Sequence, residues 1–221
     1  MQKFETPAPI AAILDIPAGR LQIIAADRAD TVVEVRPTNA SKSRDVKTAE
    51  QTTTAYADGV LRISVPVKNE HLGASGSVEV TVQLPAGSRV EAKASSTEFR
   101  AVGRLGDVAF DGAYHQIKID EAASVRLTAT DGDVEVGRLG GPAEISTTRG
   151  DIRIAEAGGG RVVLTTQKGD ISVTAATGVS AALDAGTTLG RISNELRNDG
   201  SSTALDIHAT TTQGDITARS L

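Results

Sequence analysis

Three stretches of the chain decide its fold: "TTRGDIRI" (147–154), "TTQKGDISV" (165–173) and "TTQGDITA" (211–218). The first contains Arg149-Gly150-Asp151, the tripeptide of cell-adhesion ligands. In the other two the same Gly-Asp step recurs as Gly169-Asp170 and Gly214-Asp215, after Lys168 and Gln213. The residue before Gly varies freely while Gly-Asp persists, so the step reads as a turn that the fold repeats rather than a displayed ligand.

Taking the residue after each Gly as an anchor extends the series. Asp133, Asp151, Asp170 and Asp215 follow Gly132, Gly150, Gly169 and Gly214, and Arg191 follows Gly190. Gln116 and Glu98 fit the same frame, after His115 and Thr97, giving seven anchors 17 to 24 residues apart. One and three residues beyond an anchor stand pairs such as Ile152/Ile154 and Ile171/Val173. Eight and six residues before it stand Val162/Leu164 and Ile207/Ala209. Each pair alternates with period two, the mark of a strand with one buried face. The parity changes across the Gly-Asp step, so a residue is inserted there and a corner is formed. A positive φ at that corner suits glycine, and Asp closes such turns by accepting backbone N–H groups. Like strands then stack in parallel about 4.8 Å apart.

The fold expected is all-β: a parallel β-solenoid of about seven coils over residues 89–221, with an antiparallel β cap over residues 1–88. The frame fits neither of two familiar solenoids. Hexapeptide coils need small aliphatics every six residues, and the calcium-binding nonapeptide repeat needs a second Gly pair in each half-coil. Residues 1–88 alternate in "AAILDI", "RLQIIAA", "TVVEVRP", "GVLRISVP" and "SVEVTVQLP", separated by turn signals such as "ADG". "SKSRDVKTAEQTT" suits a short helix with Ser41 or Ser43 as N-cap, and "KNEHLGASGS" (68–77) suits a hairpin loop.

Composition narrows the function. Of 221 residues only 2% are aromatic, and cysteine is absent, which excludes disulfides, thiolate nucleophiles and thiolate metal sites. A net charge of −5 provides no footprint for nucleic acid. No apolar run approaches the ~20 residues that span a bilayer. "IAAIL" (10–14), behind Pro7 and Pro9, is too short for the core of a signal peptide. A cytoplasmic protein is expected, or a cell-surface one if a signal or anchor has been removed.

The combination of "FETPAPIAAILDIPAGRLQIIAADRADTVVEVRP", "VEVTVQLPAGSRVEAKAS", the run of "GDI" corners and the closing "LGRISNELRNDG…ALDIHATTTQGDITARS" resembles a bacterial β-strand-repeat family with an adhesin label and many actinobacterial members. The resemblance spans essentially the whole chain. It implies a parallel β-solenoid and no established activity. His115-Gln116 and Arg191 depart from the family's Gly-Asp pattern.

The sharpest chemical candidate is the acid row Asp133, Asp151 and Asp170. Stacked carboxylates repel unless a cation lies between them, so the row suggests a calcium site or paired carboxylates acting on a polysaccharide. The simpler reading spends each carboxylate on its own corner, with Arg149, Arg153 and Lys168 as counter-charges. His71, His115 and His208 are too dispersed to form a metal set. Thr147/Thr148, Thr165/Thr166, Thr187/Thr188 and Thr211/Thr212 read as hydroxyl ladders of stacked strands. "GGG" (158–160) lacks the helix and Lys of a phosphate loop.

These readings add up to a non-enzymatic module with no cofactor. Gly132, Asp133, Gly150, Asp151, Gly169, Asp170, Gly190, Gly214 and Asp215 are its structural corners. The expected partner is another protein or a second copy, docking on the C-terminal coil through Ile216 and Ala218. A surface adhesin or glycan binder is the alternative, and a carbohydrate-active enzyme is less favoured.

Overall fold

The computed structural model describes residues 1–65, 76–114, 116–198 and 203–221. The chain is all-β, with a long, open, mostly parallel sheet that does not close into a barrel, and one helix among the described residues. It divides into two compact units, Met1–His115 and Gln116–Leu221, rather than at the 88/89 boundary expected from the repeat frame.

In the first unit the strands are β1 (Gln2–Glu5), β2 (Ala11–Asp15), β3 (Ala18–Ala26) and β4 (Asp30–Pro37), followed by helix α1 (Ser43–Gln51). After the helix come β5 (Thr53–Ala57), β6 (Val60–Ser64), β7 (Val78–Pro85) and the long β8 (Arg89–Tyr114). β2 lies between β6 and β8, and β3 between β7 and β8, all in parallel. Leu61, Ala12 and Val90 thus form one buried row, and Val80, Leu21 and Phe99 another. Among the described residues the antiparallel pairs are β1–β4, β4–β7 and β5–β6. The antiparallel cap read from the sequence is therefore corrected: β2 and β3 are parallel to β8. Period-two alternation reports that one face is buried, and a parallel strand with one solvated face alternates just as an antiparallel one does.

Local signals fare better. Ala57 pairs with Val60 around Asp58-Gly59, whose φ values of 52° and 75° make the two-residue hairpin that an Asp-Gly step favours. The helix begins at Ser43, but its N-cap is Lys42, which makes no side-chain capping bond, in place of Ser41 or Ser43. Asp45 in its first turn is buried and accepts the Ser77 N–H instead. The hairpin expected at 68–77 falls mostly on residues 66–75, outside the described residues, as do His71 and His115.

The second unit consists of β9 (Ile117–Thr128), β10 (Val134–Leu139), β11 (Ala143–Arg149), β12 (Ile152–Ala157) and β13 (Gly160–Lys168). β14 (Ile171–Ala175), β15 (Ala181–Leu189), β16 (Ile192–Glu195), β17 (Leu205–Gln213) and β18 (Ile216–Ser220) complete it. Among the described residues every strand pairing of this unit is parallel. One ladder runs β9, β10, β12, β14, β18, β16, and the other runs β9, β11, β13, β17, β15. Ile117, Val134, Ile152, Ile171 and Ile216 stack in register as a column, each no more than 1% exposed.

The spatial order of the last two repeats is inverted relative to the chain. The final repeat, β17–β18, is inserted between the Asp170 repeat and the Arg191 repeat. Ile216 and Ala218 are each 1% exposed in the interior of the stack, so they are not the docking surface expected of them. The edge is formed by β15 and β16.

Candidate functional site

The acid row is brought together, and each member has the same task. Oδ1 of Asp133 accepts the backbone N–H of Asp151 at 2.9 Å. Oδ1 of Asp151 accepts that of Asp170 at 2.8 Å, and Oδ1 of Asp170 accepts that of Asp215 at 2.7 Å. Asp215 accepts the N–H of Arg191 at 2.8 Å. Each carboxylate thus ties its own corner to the next repeat, where the sequence reading had it closing its own turn. A carboxylate accepting a backbone N–H is a charge-assisted bond, roughly twice as strong as a neutral one. Among the described residues, no group of three or more His, Asp or Glu is arranged to hold a metal ion.

Glycine is required at these corners by geometry. Gly150 and Gly169 have φ values of 134° and 152°, and a Cβ on Gly169 would run into the Gly150 carbonyl. Two expected corners differ. Gly190 has no positive φ, although a Cβ there would strike the Gly214 carbonyl. Thr97 lies within continuous β8, buried, with its hydroxyl donating to the Ile16 carbonyl at 2.7 Å.

The threonines also bond to the backbone rather than to one another. The hydroxyls of Thr166, Thr211 and Thr187 donate to the carbonyls of Gly150, Gly169 and Gly214 respectively, at 3.0 to 3.2 Å. A second column, Thr128, Ser146, Thr165 and Thr210, is in register and exposed. Arg149 pairs with Asp131 at 2.8 Å. His208 on β17 is held between Asp206, 2.9 Å from Nε2, and Asp184, 3.2 Å from Nδ1.

The ladder stops at Arg191. Having no carboxylate, it cannot extend the chain of Oδ1-to-N–H bonds; its guanidinium turns back to Asp215 at 3.1 Å. The backbone N–H of Arg191 and then its guanidinium hold the Asp215 carboxyl below its ordinary range. Outside this repeat, β15 and β16 are each paired on one side only among the described residues. The edge leaves Leu189 62% and Ile192 47% exposed, the latter at the end of an otherwise buried column. Beside it, a cleft of about 190 Å³ is lined by Gly178, Val179, Ser180, Arg197, Ser220 and Leu221.

Sequence reasoning missed this edge, yet a signal for it was present. The Arg191 repeat is atypical, with Arg at the anchor, Asn194 in the inward row and Gly186 in its first strand. Terminal repeats of stacked proteins are atypical because one of their faces meets water.

No helix among the described residues is long and apolar enough to cross a membrane. No curated protein matches the chain. Among solved structures, it is similar to a "putative adhesin" from Parabacteroides merdae, at 12% identity and TM-score 0.49, covering 98% of this chain and 94% of that one. It is likewise similar to a "putative cell adhesion protein" from Clostridium sporogenes, at 14% identity and TM-score 0.39, covering 100% and 98%. A family model matches residues 17–220, and the chain belongs to the Toastrack DUF4097 family.

Proposed function

We propose that this chain is a non-catalytic β-solenoid module for binding and assembly, whose principal contact is a second copy of itself. The observation that carries the reading is the one-sided strand pairing of β15 and β16 among the described residues, with Leu189 and Ile192 exposed along that edge. An edge strand presents a row of N–H and C=O groups that another strand can satisfy. The acid row supports the absence of catalysis, because the Oδ1 atoms of Asp133, Asp151, Asp170 and Asp215 are already engaged by backbone N–H groups. On this reading the module acts in the cytoplasm.

Size-exclusion chromatography with light scattering tests it. A mass of two chains or more at micromolar concentration is the expected result, and a monomer up to about 100 μM, too weak for a functional assembly, overturns it.

A second reading, a surface glycan binder, is favoured by the exposed column of Thr128, Ser146, Thr165 and Thr210. Glycan-array binding that is lost on Thr165→Lys would replace the first reading with this one.

A further inference from the structure

We infer that β16 pairs antiparallel with β16 of a second copy about a two-fold axis through Ser193; this rests on the self-assembly reading above. The argument begins with the charge order along the edge, Arg191-Ile192-Ser193-Asn194-Glu195. Across an antiparallel pair centred on Ser193, Arg191 of each chain stands opposite Glu195 of the other. A two-fold interface makes every contact twice, so one self-complementary strand yields two such pairs.

The side-chain directions agree. Ile192 continues the buried column of Ile216 and Ile171, so Arg191, Ser193 and Glu195 all project to the opposite, outer face. There Arg191 already contacts Asp215 at 3.1 Å on its own chain, and Glu195 is in register with Arg219. The incoming strand therefore continues an alternation of sign that the chain has begun: Asp215, Arg191, then Glu195 of the second copy; Arg219, Glu195, then Arg191 of the second copy. On the inner side, Ile192 meets Asn194 of the second copy, and its exposed surface is covered.

Charges on an edge strand usually prevent association. Here they select the register, since shifting the centre away from Ser193 separates Arg191 from Glu195. An antiparallel dimer also consumes the edge in both chains and closes, whereas head-to-tail stacking would propagate into a filament.

The chain contains no cysteine, so a single introduced one reports contact without background. Directly opposed residues in an antiparallel pair have Cα atoms about 4.5–5.5 Å apart, within disulfide range. Ser193→Cys in the full-length protein is expected to form a disulfide-linked dimer under mild oxidation. Ser172→Cys is the control: it lies in the same row, two strands inward through Thr217, and is expected to remain monomeric on non-reducing gels. Glu195→Lys places like charges at both symmetric contacts and is expected to weaken the dimer about tenfold. A wild-type monomer that Ser193→Cys fails to capture sinks both the assembly reading and this geometry. A wild-type dimer or filament in which Ser193→Cys does not cross-link leaves the assembly reading intact and overturns the β16 contact alone. Cross-linking of both cysteine variants to the same extent means collision rather than pairing, and overturns the contact as well.

Discussion

Asp215 Oδ1 accepts the backbone N–H of Arg191 at 2.8 Å, although Arg191 precedes Asp215 in the chain by 24 residues. In every other link of the ladder the acceptor comes first, as with Asp133 and Asp151 or Asp151 and Asp170. The reversal follows from the insertion of β17–β18 beneath β15–β16. It also places Arg191, which has no carboxylate, at the end of the ladder, where among the described residues no further anchor N–H of this unit has to be accepted. Arg191 thereby closes a series that an Asp would have left with a free acceptor.

The ladder predicts a graded cost for removing one link. Asp170→Ala leaves the Asp215 N–H, now bonded at 2.7 Å, to water or to nothing, and is expected to cost about 1 kcal/mol. Asp170→Asn keeps an oxygen acceptor without its charge and is expected to cost roughly half as much. Urea unfolding of the three proteins checks this, and equal stability of wild type and Asp170→Ala would show that the ladder carries no weight.

Glycine substitutions separate corner from strand. Gly169→Ala combines a φ of 152° with a collision against the Gly150 carbonyl, and is expected to cost roughly 2 kcal/mol or more. Gly186, in edge strand β15, has no positive φ and nothing within 4 Å of an added Cβ. Gly186→Ala is expected to be neutral, or to stabilise by up to about 1 kcal/mol, because alanine loses less backbone freedom on folding. Thermal unfolding of the two variants beside wild type gives the comparison, and a similar loss at both positions would contradict it.

The corners and the columns between them could be read from the sequence because stacked repeats impose translational symmetry, and Gly150-Asp151 and Gly169-Asp170 occupy equivalent sites. That symmetry carries no information about which repeat lies next to which. Ile171 pairs equally well with Ile192 or Ile216 as far as side chain and phase are concerned. The order is decided by the quality of each repeat's inward rows. Leu205, Ile207, Ala209, Ile216 and Ala218 are all apolar and sit inside, whereas Asn194 and the exposed Ile192 sit at the edge. In the first unit β2, β3, β4, β6 and β7 were evident as strands, whereas β1, β5, the continuity of β8 through Thr97 and the parallel partners of β2 and β3 were not. Their partner β8 lies more than 70 residues away, and alternation reports burial, not strand direction.

Acid should loosen the Asp215–Arg191 link before the core fails. The carboxyl of Asp215 is held below its ordinary range, first by the Arg191 N–H and then by its guanidinium. A group whose folded pKa is depressed contributes stability that is present above its unfolded value of about 3.9 and is lost as pH falls through the folded value. Wild type is therefore expected to be more stable than Arg191→Ala at pH 7. The guanidinium's share of the link is then absent from the variant, while the backbone N–H remains. As pH falls from the unfolded value through the lower folded one the carboxylate becomes protonated in both proteins, and the difference in Tm is expected to shrink towards zero. Melting curves at pH 7, 5, 4 and 3 test the sign as well as the existence of the effect. A gap that stays constant or widens on acidification would mean that Arg191 supports the end repeat by packing alone. Because the Arg191 side chain is 89% exposed, the neutral-pH gap is expected to shrink in high salt as well, as screening weakens an exposed ion pair.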